Sequence, residues 1–125
     1  MPTAYEELRI AIGRGFYVNN LQAIAGLSLE ILEEKNPKHP AIFLVLASVS
    51  RWVTDAWHDV PLSAQVASRV EGQLKPHLEA LLNAADGTSD EVCSALDATA
   101  RAFREAISRG LDCDITSGQL QQHQN

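Results

Sequence analysis

The sequence has no basic run. Its 10 Lys and Arg residues are scattered among 16 Asp and Glu, for a net charge of -6. Phosphate neutralisation supplies most of the non-specific affinity of a nucleic-acid binder, so this distribution argues against nucleic acid as a partner. The same charge disfavours an anionic membrane surface. Long apolar runs are also missing. The longest, Ala41 to Ala47, falls far short of the roughly 20 residues that a helix needs to span a bilayer. The opening residues, Met1-Pro2-Thr3-Ala4-Tyr5-Glu6-Glu7, show no charged-then-apolar leader. Together these absences predict a cytoplasmic protein.

Cysteine is scarce. Cys93 and Cys113 are the 2 in the chain, and neither belongs to a Cys-x-x-Cys pair, which argues against structural zinc. Two free thiols in a reducing compartment are expected, rather than a disulfide from the C-terminal segment to the last helix. Gly13-Arg14-Gly15 lacks the preceding strand and the following Lys-Ser/Thr of a phosphate loop. No Ser sits in a nucleophile elbow, and no Cys–His pair can be assigned. No repeat and no strand–helix alternation occurs, so an α/β fold is disfavoured.

What is present is helical. A hydrophobic fraction of 46% with 21% charged residues is that of a folded globular chain. A length of 125 residues suits one domain. Thr3 and Glu6 form a capping box ahead of Leu8, Ala11 and Ile12 at helical spacing. Gly13 and Gly15 then break or bend this first helix. Leu21, Ile24, Ala25, Ser28, Ile31 and Leu32 make a second stripe, which Asn36-Pro37 and Pro40 end. From Ala41 to Val49 every residue but Ser48 is apolar, the signature of a helix covered on all sides. Its stripe continues through Trp52, Val53 and Ala56.

Pro61 suits the first turn of a fourth helix. That helix carries Val66, Val70, Leu74, Leu78, Leu81 and Ala85 on one face and is kinked at Pro76. Asp86-Gly87 ends it. Thr88 and Glu91 form a second capping box for the last helix, with Val92, Leu96, Thr99, Phe103, Ile107 and Leu111 on one face. The pattern predicts an all-α, up-down bundle of four main helices with a short or bent N-terminal helix. Residues 1–111 form its single domain. The polar, Gln-rich segment 112–125 is expected to be a disordered tail.

One constellation has a chemical reading. Glu30, Glu33 and Glu34 close the second helix, while Asp55 and Asp59, four apart, close the third. Carboxylates from two neighbouring helices are the ligand type that Mg²⁺ takes. The arrangement resembles MazG-type nucleotide pyrophosphohydrolases, all-α enzymes that bind Mg²⁺ through Glu-x-x-Glu on one helix and Glu-x-x-Asp on the next. Glu30-x-x-Glu33 fits the first half. The second half departs, since Asp55 is followed three residues later by His58. Against it stands a solvated face with an Arg51–Asp55 pair. Asp55-x-x-His58 is also half of a di-iron bundle motif, but no second copy exists. His77, on a helix, is followed by Leu78, Glu79 and Ala80, not by the Lys and Gly of phosphotransfer domains.

The leading expectation is therefore a non-enzymatic protein–protein interaction module, an adaptor, assembly chaperone or regulator without a cofactor. The alternatives are a Mg²⁺-dependent pyrophosphohydrolase-like enzyme and a small-ligand-binding bundle. The all-round apolar segment from Ala41 predicts a homodimer, with Phe43 and Leu44 on or near its contact face. Trp52 is expected in the core. Trp57, which points away from the main stripe, is a candidate for the interface.

Overall fold

The computed structural model describes residues 3–57 and 63–108. Those residues form five helices: α1 (Ala4–Arg14), α2 (Val18–Glu34), α3 (Pro40–Trp57), α4 (Ala64–Asn83) and α5 (Ser89–Ser108). There is no strand among them, and the helices pack as an all-α bundle. His58, Asp59, Pro61, Leu111, Cys113 and the expected tail lie outside the described residues.

Local chemistry sets most helix ends. Thr3 Oγ1 accepts the Glu6 N–H at 3.1 Å and starts α1. Gly15 stops it, with a φ of 105° that favours glycine. The first helix is thus a separate element, joined to α2 by Gly15, Phe16 and Tyr17. Asn36, with a φ of 48°, turns the chain after α2. Ser63 Oγ caps α4 by accepting the Val66 N–H at 3.1 Å, so this helix starts at Ala64 and not at Pro61. Helix α4 continues through Pro76, as its unbroken apolar period requires. The second capping box is complete: Glu91 N–H donates to Thr88 Oγ1 at 3.2 Å, and Thr88 N–H donates to Glu91 Oε1 at 2.9 Å.

The most extensive helix contact joins α2 to α3, followed by α4 with α5 and α1 with α2. Five residues link α2 to α3, and Gln22 to Leu29 lie beside Arg51 to Asp55, so the two form an antiparallel hairpin. The core is mostly aliphatic. Leu8, Ile12, Leu21, Ile24, Ile31, Ile42, Leu46, Val53, Leu74, Leu78 and Leu81 are fully buried around Phe43. Tyr5 meets the Phe43 ring edge-on, with centroids 5.5 Å apart.

Helix α3 corrects three expectations from the sequence. Phe43 is 0% exposed and Trp57 4%, whereas Trp52 is 54% exposed. The buried face is centred on Phe43, Leu46, Ser50, Val53 and Trp57, rotated from the stripe through Trp52. The physical reason is that an apolar helix has no phase of its own: the face that α2 covers becomes the inside. Leu44 lies outside, 53% exposed.

Candidate functional site

Helix α5 leaves an apolar surface open. It buries only Val92, Thr99 and Ala106, spaced seven apart, which is the narrow seam of a helix packed along one line. Its large apolar side chains sit beside that seam. Leu96 and Phe103 are half-buried, and Ile107 is 44% exposed. Across the groove from α5, Trp52 meets the Phe103 ring edge-on, at a centroid distance of 6.0 Å. Trp52 and Phe103, from helices that touch only lightly, thus form an aromatic edge, and the spacing of Leu96 and Ile107, seven before and four after Phe103, places both on the same face of α5. Leu44 adds a second exposed apolar side chain on α3. Single exposed apolar residues are ordinary, but a contiguous group is the usual mark of a contact surface.

The carboxylates do not assemble. Glu30, Glu33 and Glu34 are exposed at the loop end of the α2–α3 hairpin. Asp55 lies toward the other end, level with Gln22 and Ala25. Antiparallel neighbours keep these groups apart. Among the described residues, no three His, Cys, Asp or Glu side chains are grouped to hold a metal. Asp59 lies outside the described residues. Among the described residues Arg51 and Asp55 form no ion pair with one another, whereas Asp97 and Arg101 pair at 3.0 Å, the acid preceding the base as a helix favours.

Arg51 and Asp55 instead line a cleft of about 270 Å³ between α2 and α3, with Gln22, Ala25, Gly26, Leu29 and Thr54. Thr54 Oγ1 donates to the Ser50 carbonyl at 2.8 Å, so its hydroxyl proton is already used. His77 lines a more open depression with Ser94, Asp97, Ala98, Arg101, Ala102 and Glu105. Cys93 is an exposed free thiol.

The remaining polar contacts hold the fold. The buried Asn20 amide donates to the carbonyls of Ala11 and Gly15 at 2.6 Å each, satisfying the end of α1. Lys75 Nζ donates to the Gly13 carbonyl at 3.1 Å. His39 Nε2 lies 2.9 Å from the Gly87 carbonyl and ties two loops together. Burial, with the Asp86 carboxylate nearby, raises the Tyr5 hydroxyl above its ordinary value. Hydrogen bonds from Thr88, backbone first, hold the Glu91 carboxyl below the usual range. Neither group faces the apolar edge or the cleft.

Among the described residues, no helix is long and apolar enough to cross a membrane. No family model matches the chain, and neither curated proteins nor solved structures give a match.

Proposed function

We propose that this chain is a non-enzymatic protein–protein interaction module, an adaptor, assembly chaperone or regulator, that acts through the outer faces of α3 and α5. The observation that carries the reading is Trp52, a large aromatic side chain left 54% exposed against the Phe103 ring. Burying such a residue is worth roughly 1.5–3 kcal/mol, and Trp is enriched among the residues that dominate binding energy. The absence of an assembled carboxylate cluster among the described residues gives the hydrolase alternative no comparable support.

The first partner in this reading is a second copy. Twofold homodimers are the commonest soluble oligomers. Leu44 and Trp52 would lie at the contact, while Phe43 and Trp57 support it from inside the bundle. The reading includes a cytoplasmic setting, a single domain over residues 1–111 and an up-down course for α2 to α5. Light scattering on the full chain tests it. Trp52→Glu and Leu44→Glu should dissociate the dimer yet keep the helical signal. Thermal melts with millimolar Mg²⁺ and nucleotides should show no stabilisation, since only a ligand that binds the folded state raises its melting temperature.

A further inference from the structure

The cleft between α2 and α3 holds a combination that the packing of the chain does not explain. Gly26 lies inside α2, on its exposed side. A Cβ built there would meet nothing within 4 Å. Neither a tight turn nor a close helix approach within the chain therefore requires glycine. Glycine inside a helix costs about 1 kcal/mol relative to alanine, so the position gives up stability and keeps open space. That space is part of the cleft, next to Ala25 and Leu29.

Over this small, partly apolar floor stand the two charged residues of the cleft. Arg51 and Asp55 are one helical turn apart, and each is exposed. They form no ion pair with one another. The guanidinium presents a fork of donors that suits a carboxylate. The Asp55 carboxylate presents acceptors only, which suit an ammonium. Gln22 adds an amide able both to donate and to accept. A divalent cation is a poor fit, since Asp55 is the only carboxylate in the lining and Arg51 stands beside it. A nucleotide is a poor fit as well, because it would bring several negative charges to one Arg and one Asp. Drug-sized ligands occupy sites of roughly 300–1,000 Å³, so a cleft of about 270 Å³ suits a smaller molecule.

We infer that this cleft binds a small zwitterion of the amino-acid class, with its carboxylate on Arg51, its ammonium on Asp55 and its carbon skeleton over Ala25, Gly26 and Leu29. Residues four apart on one helix face have Cα atoms about 6 Å apart along the axis, a spacing that long side chains can match to a range of charge separations. The site lies on the α2 side of α3, and neither Trp52 nor Phe103 lines it.

Heteronuclear NMR titration of the full chain tests the inference, with glycine, leucine and 5-aminopentanoate as probes of increasing size and charge separation. At least one should shift the amide signals of Gln22 to Leu29 and Arg51 to Asp55 together, with a Kd of about 1 mM or tighter. For the best probe, acetylating the amine or esterifying the carboxylate should weaken binding about tenfold or more, since each removes a charge-assisted contact. Gly26→Leu should fill the floor and abolish the shifts while circular dichroism shows the helices intact. Arg51→Gln should weaken the probe and its acetylated form alike, because both carry the carboxylate. Three results overturn the inference: no joint shift with any probe at about ten times that concentration, equal binding of charged and blocked forms, or unchanged binding to Gly26→Leu.

Discussion

Glu71, midway along α4, accepts the backbone N–H of Phe16 at 2.6 Å and so fixes the joint between α1 and α2 from a third helix. Phe16 is buried, and its amide follows directly on the end of α1. The same carboxylate oxygen lies 2.6 Å from where a Cβ on Gly15 would stand. Glycine is required here by its φ of 105°, and any Cβ would in addition have to push the Glu71 carboxylate aside. Glu71→Ala leaves a donor without its partner and should cost about 1–3 kcal/mol. Gly15→Ala should cost at least about 1 kcal/mol, from backbone strain and from displacing Glu71. Urea unfolding of each variant measures both.

Ser50 offers the opposite sign. Its Oγ is fully buried on α3 and has no hydrogen-bond partner among the described residues. An unpartnered buried hydroxyl carries its desolvation cost without return. Ser50→Ala should leave stability unchanged or raise it by about 1 kcal/mol. A loss of more than about 2 kcal/mol in chemical denaturation would show that the hydroxyl has a partner after all.

The capping box of α5 makes stability depend on pH. The folded-state pKa of Glu91 is depressed, so its contribution is present above the unfolded carboxylate value and is lost as pH falls through the folded one. The melting temperature gap between the wild type and Glu91→Ala should therefore be full at neutral pH and close in acid. Thr88→Ala should cost about 1 kcal/mol at neutral pH, the usual worth of an N-cap side chain. Calorimetry across that pH range follows both.

Helix α3 separates inside from outside most clearly. Phe43→Ala should cost about 3–5 kcal/mol, because it opens a cavity at the centre of the core. Leu44→Ser, one residue on, should change the stability of the isolated monomer by less than about 0.5 kcal/mol. Reading these two in the Trp52→Glu background keeps monomer stability separate from assembly.

Much of the fold could be read from the residues. Thr3, Gly15, Asn36 and Thr88 mark helix ends through short-range chemistry, which a sequence carries openly. The apolar stripes of α2, α4 and α5 also follow from spacing, because polar residues on the far side fix their phase. The segment from Ala41 to Val49 lacks that contrast, so Trp52 and Trp57 exchanged their expected places. Only the contact with α2 decides which side of such a helix is inside. Neither candidate site was legible for a related reason. Gly26 and Arg51 belong to different helices, as do Trp52 and Phe103, and each meeting depends on tertiary register rather than on spacing. The separation of Glu30, Glu33 and Glu34 from Asp55, by contrast, follows from the sequence, because two helices joined by a short turn run antiparallel and put these groups at opposite ends.

The central claim is that α3 and α5 present a surface for association, and multi-angle light scattering on the purified full chain tests it most directly. The account predicts a mass near twice 13.6 kDa at micromolar concentration, falling to that of one chain in Trp52→Glu and Leu44→Glu with helical content retained. A wild-type chain that runs as a 13.6 kDa monomer, or a Trp52→Glu variant that remains a fully stable dimer, would contradict it.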